Sequence, residues 1–159
     1  MQHAQKLAQK KPFSGCPGMR AKQFQRSTAP AAGAACPSQL SQWPVQIKLA
    51  GVMAPYFDDA DLLIAADCTA YAYGNFHEKF IRGRITLIGC PKLDAVDYAE
   101  KLTAIFAAHS IRSVTVARME VPCCGGIEQA VQRAIAASGK AISCHVTVIG
   151  TDGTIQEER

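Results

Sequence analysis

The chain has 159 residues, 48% of them apolar and 19% charged, with a formal net charge of +4. That length suits one globular domain with a substantial core and would cramp two. No run approaches the ~18 to 20 apolar residues of a membrane span, and residues 1–26 lack the apolar stretch of a secretory signal; the expected location is cytoplasmic, with no membrane partner.

Charge is divided unevenly. No Asp or Glu occurs before Asp58, whereas Lys6, Lys10, Lys11, Arg20, Lys22, Arg26 and Lys48 are all basic. A basic arm of this kind is read first as a solvated tail. Nucleic acid is not the expected partner, because no stacking aromatics are interleaved with the charges. There are seven cysteines (Cys16, Cys36, Cys68, Cys90, Cys123, Cys124 and Cys144). An odd number argues against a closed disulfide framework, so metal or redox chemistry is the default.

Residues 1–43 read as a loosely structured basic N-terminal arm rich in Ala, Gln, Ser, Gly and Pro, with a helix over 2–10 and a Gly15-Cys16-Pro17-Gly18 turn. Residues 44–159 read as an α/β cluster-binding domain. VQIKL (45–49) alternates as a half-buried strand does, and DLLIAADC (61–68) is a continuous apolar run of strand length. Residues 69–81 read as part loop and part short helix. RITLIGCP (84–91) is another buried strand. Asp94 is expected to cap the next helix, with Val96, Ala99, Leu102, Ile105 and Phe106 on its buried face. A strand over 111–121 leads to Pro122, Cys123 and Cys124. A helix follows with Ile127, Ala130, Val131, Ala134 and Ile135 inward, ended by Gly139. The last strand is expected over 144–149, before a turn and a charged tail. This alternation predicts a three-layer α/β domain with a mainly parallel sheet of about five strands and right-handed crossovers.

Ligand sites in such sheets lie beyond the carboxyl ends of the strands. Cys68, Cys90 and the Cys123-Cys124 pair all fall at those ends, although 22 and 33 positions separate them. Cys144 opens its strand and is assigned a structural role; Cys36 is incidental. Four thiolates from three loops suit an iron-sulfur cluster or a tetrahedral zinc. Adjacent cysteines reach two irons of a cluster more easily than one zinc ion, and the C-x₂₋₄-C spacing of zinc sites is absent. Cys16 is a candidate fifth ligand, because its Gly-Cys-Pro triplet recurs at Gly89 to Pro91. The start of the following helix should lower the pKa of a thiol in the pair. Lys92, Tyr71, Tyr73, His77 and Glu120 are weaker candidates for a surrounding role.

LLIAADCTAYAYGNFHEKFI, TLIGCPKLD and MEVPCCGG, with SQWPVQIKL ahead of them, resemble the C-terminal domain of 4Fe-4S ferredoxin-type proteins of anaerobic bacteria. The two-cluster ferredoxin module that often precedes that domain is not in this sequence. More remotely, the adjacent pair plus Gly-Cys-Pro is similar to the cluster loops of the complex I 20-kDa-type subunit, and Cys-Cys-Gly to the cysteine-rich motif of heterodisulfide reductases. The resemblance implies an iron-sulfur redox setting. The leading expectation is one cluster, of the 4Fe-4S type, held by Cys68, Cys90, Cys123 and Cys124 and exchanging electrons with a partner redox protein. An exposed cluster edge would favour such docking or a homodimer. The alternatives are a zinc-binding or regulatory interaction module and a metal-free thiol-disulfide protein using the Cys123-Cys124 pair.

Overall fold

The computed structural model describes Lys22–Gln23 and residues 36–159. Cys16 and the predicted helix over 2–10 lie outside the described residues. Two short strands, β1 (Lys22–Gln23) and β2 (Gln42–Trp43), pair antiparallel. The main elements then follow as β3 (Asp61–Ala66), α1 (Thr69–Ala72), a π-type turn (His77–Ile81), β4 (Ile85–Gly89), α2 (Tyr98–Ala108), β5 (Ser113–Met119), a 3₁₀ turn (Pro122–Cys124), α3 (Gly125–Ser138), β6 (Ser143–Ile149) and β7 (Ile155–Glu158).

The sheet order is β4-β3-β5-β6-β7, with β3, β4, β5 and β6 parallel and only β7 antiparallel. Side chains alternate across this sheet. Leu62, Ile64, Val114, Val116, Val146 and Val148 meet the apolar stripes of α2 and α3, including Leu102, Ile105, Phe106, Ile127 and Val131. Leu63, Ala65, Ala117, Met119 and Ile149 meet Phe76, Phe80 and Ile81 on the opposite side. Both faces are covered, which is why the strands read as unbroken apolar runs, and the three-layer expectation holds.

Three local expectations are corrected. Residues 45–49 do not form a strand: Gln46 makes a single parallel bridge to Ile88, and the N–H groups of Leu49 and Ala50 turn back to the Gln46 carbonyl. The apolar alternation was real only as far as Ile47, which is buried, while Leu49 points outward. This segment covers the outer edge of β4. There the Gln42 side chain donates to the Thr86 carbonyl and accepts from its N–H, standing in for a neighbouring strand. The fifth strand is instead β7, the expected charged tail; Gln156, Glu157 and Glu158 suit an exposed sheet edge. Finally, α2 is capped by Asp97, whose side chain accepts from the Ala99 N–H at 3.0 Å, and Val96 lies before the helix and is exposed. Gly139 ends α3 at φ 70°, in the left-handed region as expected.

A candidate thiol site at the carboxyl edge of the sheet

From β3 the chain runs to β4 on one side of the sheet and then, through α2, to β5 on the other. The point where direction reverses lies between β3 and β5. In open α/β sheets a crevice forms there, outside the carboxyl ends of the strands. Ala66 is paired with Gly89, and the Asp67 N–H donates to the Gly89 carbonyl at 3.1 Å, so Cys68 and Cys90 leave the sheet side by side. Ala65 is paired with Ala117, which brings the end of β5 to the same level.

Cys68 is exposed, and its carbonyl accepts from the N–H groups of Tyr71 and Ala72 as α1 begins. Cys123 is exposed, whereas Cys124 is only 5% accessible and packs beneath it against Met119, Ala117 and their neighbours. Burial pushes the Cys124 thiol up; a backbone hydrogen bond at Met119 opposes this, and the nearby Cys123 and Cys68 sulfurs add to the rise. The expected lowering at the helix start is therefore not found at Cys124: loss of water outweighs the backbone hydrogen bond there. Cys90 is half-buried, and its loop touches the start of α3, where a Cβ added at Gly126 would stand 3.2 Å from Pro91 Cβ. The Gly-Cys-Pro and Cys-Cys-Gly-Gly motifs are thus in contact.

Cys124 lies within electrostatic reach of both Cys68 and Cys123, and Cys90 reaches the same edge through its loop. Among the described residues no three His, Cys, Asp or Glu side chains converge closely enough to cage a metal ion. Cys144 lies at the opposite end of the sheet, packed against the core, as its place in the sequence implied.

An acidic cluster that sequence reasoning missed adjoins the thiols. The Tyr98 hydroxyl donates to Asp94 Oδ2 at 2.6 Å, and Lys48 Nζ lies 3.7 Å from Asp94 Oδ1. Burial, then the hydrogen bond to Asp94, push the Tyr98 hydroxyl far above its ordinary pKa. Burial and the Asp94 charge also raise Asp67, against a hydrogen bond with Gln46. Asp67 Oδ1 is buried and has no hydrogen-bond partner among the described residues. The only sequence signal was adjacency: Asp67 precedes Cys68, and Asp94 closes the Cys90 loop.

Several weaker candidates have other roles. His77 Nδ1 accepts from the Gln39 N–H at 3.1 Å. Glu120 accepts from the Thr151 N–H at 2.8 Å. The Tyr73 ring packs edge-on against Phe80. Lys92 and Tyr71 are exposed beside the site, Tyr71 at 94%.

A mostly parallel, doubly covered sheet whose strand order reverses at a switch point defines a doubly wound α/β domain. The chain belongs to the Rossmann-like domain family, whose model matches residues 54–159. Cys68, Cys90, Cys123 and Cys124 all fall inside that stretch. The chain is also similar to an uncharacterized protein of Archaeoglobus fulgidus, 28% identical over 118 residues that cover 74% of this chain and 84% of that protein. No solved structure matches the chain. Among the described residues no helix is long and apolar enough to cross a membrane.

Proposed function

We propose that this chain is a cytoplasmic iron-sulfur protein in which Cys68, Cys90, Cys123 and Cys124 hold one cluster, of the 4Fe-4S type, at the carboxyl edge of the sheet. One observation carries this reading: β3 and the two parallel strands on either side of it, β4 and β5, lead into four thiols around the fold's switch point. The adjacent Cys123-Cys124 pair fits a cluster better than zinc, because neighbouring thiolates reach two irons more easily than one ion.

A bound cluster would supply one-electron transfer to a partner redox protein. Cys124, with the core beneath it, would shield the inner side from water, while exposed Cys68 and Cys123 would face the partner or a second copy of the chain. Asp67 and Asp94 would place negative charge beside the site and favour its more oxidised state.

Anaerobic purification tests the reading. Brown protein with broad absorption near 400 nm and about four irons per chain, the stoichiometry of the cube, is the expected result. Single changes of Cys68, Cys90, Cys123 or Cys124 to Ser should each lower iron content. Colourless protein holding one zinc would refute the cluster, and full iron in Cys68→Ser would refute the ligand set.

A further inference from the structure

The sheet face turned away from α2 and α3 is only partly covered. Val146 and Val148 of β6 pack into the core beneath those helices, so His145 and Thr147 point the other way. Thr115 of β5 is paired with His145 and shares that face. Phe76, Phe80 and Ile81 cover it over Ala65, Ala117 and Met119. Around Thr115, His145 and Thr147 a cavity of about 370 Å³ opens instead. Its walls come from Lys79 and Arg84, ahead of β4, and from Glu158 and Arg159 at the end of β7.

The polar groups of this cavity are unevenly satisfied. Thr147 is 5% exposed, yet its hydroxyl makes no hydrogen bond among the described residues, and neither does that of half-buried Thr115. A buried hydroxyl is costly unless something supplies a partner. Arg84 Nη1 donates to the Lys79 and Phe80 carbonyls at 3.1 and 2.9 Å, which fixes the guanidinium. Nε and Nη2 of Arg84 have no hydrogen-bond partner among the described residues, and Arg84 forms no ion pair there, although its charge reaches Asp61. The other two cations are engaged: Lys79 Nζ lies 2.8 Å from Glu158 Oε1, and Arg159 pairs with Glu128 and Glu157.

We propose that this cavity binds the phosphate group of a small phosphate ester. The free fork of Arg84 and the two hydroxyls offer donors from separate directions, which suits the three terminal oxygens of a phosphate better than a planar carboxylate. Lys79 adds charge by exchanging Glu158 for the ligand. His145 and Glu158 give the rest of the cavity a polar rim for the remainder of the ester. No cysteine lines the cavity, so the proposal stands or falls without the cluster.

Calorimetric titration of the full chain with glycerol 3-phosphate tests it, with uncharged glycerol as control and amide chemical shifts to locate the site. Saturable binding that shifts Arg84, Thr115 and Thr147, competed by inorganic phosphate and absent with glycerol, is the expected result. Thr147→Val keeps the side chain's shape and should weaken binding about tenfold, the loss of one hydrogen bond to a charged group. Thr147→Val should also melt no lower than the parent, since the hydroxyl it removes has no partner in the fold. Arg84→Gln should weaken binding at least as much. Glu158→Gln should strengthen it severalfold by releasing Lys79, and Lys92→Gln, an exposed change outside the cavity, should leave it unaltered. No saturable binding, equal affinity in Thr147→Val, a lower Tm in that variant, or shifts confined to other surfaces would each overturn the proposal.

Discussion

Gly89, the residue between β4 and Cys90, should not accept even a methyl group. A Cβ built there lies 2.5 Å from the Tyr98 hydroxyl oxygen and 2.7 Å from its Cζ, where ordinary contact begins near 3.4 Å. The ring would have to retreat by about 1 Å. Tyr98 is 3% exposed and anchored by its 2.6 Å hydrogen bond to Asp94, so it has little room to do so. Overpacking costs about 1–3 kcal/mol, and loss of a hydrogen bond to a charged acceptor about 1.5–3 kcal/mol. Because the ring relieves one strain by accepting the other, Gly89→Ala should cost about 2–4 kcal/mol, a fall in Tm on the order of 10 °C for a domain of this size. Urea denaturation of the single variants and the double variant with Tyr98→Phe isolates the contact. Tyr98→Phe removes the nearer of the two clashing atoms, so the double variant should cost less than the sum by about 1 kcal/mol. Additive costs within about 0.5 kcal/mol would refute the reasoning.

Glu128 should make stability acid-sensitive. Burial pushes its carboxyl up, but hydrogen bonds from Arg159 and Arg118, with their charges, outweigh burial and hold it below the usual range. A depressed carboxyl contributes stability above its unfolded pKa of about 4.3 and loses it as pH falls through the folded value. Glu128→Gln should therefore cost about 2–3 kcal/mol near neutrality, where it leaves Arg118 unpaired. Urea melts should show that gap closing in acid; a gap independent of pH would count against the pairing. His109, 5% exposed, places Nδ1 2.6 Å from Asp58 Oδ1 and Nε2 2.7 Å from the Val52 carbonyl. His109→Ala should cost about 2–4 kcal/mol by the same measurement, and a loss under about 0.5 kcal/mol would show that neither bond matters. Gly126→Val should force the Pro91 loop away from α3 and lower the iron content of reconstituted protein more than Gly125→Val, since no atom lies within 4 Å of a Cβ at Gly125. Equal iron in the two variants would refute a role for the Pro91 contact in holding the thiols together.

The fold was legible wherever burial alone decides structure. β3, β4, β5 and β6 are covered on both faces, so their apolar runs marked them, and the stripes of α2 and α3 marked the layer above. Legibility failed at the two edges of the sheet. Val45, Gln46 and Ile47 alternate as a strand would, but only one bridge forms before the chain turns to close the edge of β4. Gln156, Glu157 and Glu158 look like a solvated tail, yet backbone pairing with β6 makes them a strand. Edge strands are held by hydrogen bonds that every residue can make, and an apolar pattern carries no record of those.

The site divides along the same line. Where each strand stops can be read from the end of its apolar run, and a parallel sheet brings those ends together, so four thiols at one edge followed from the sequence. How the loops meet beyond the edge did not follow. Asp94 reads as a helix cap, but Asp97 fills that place and leaves Asp94 to hold the Tyr98 hydroxyl. The two glycines after Cys124 read as turn residues. In the structure the second is the position where α3 leaves space for Pro91, one residue after Cys90. That contact gives the Gly-Cys-Pro and Cys-Cys-Gly-Gly motifs a common reason: each supplies a thiol, and the residues beside the thiols let the two loops close on each other. A side chain at Gly126 would press on Pro91, which would have to give by a few tenths of an ångström, without its Cβ touching any cysteine.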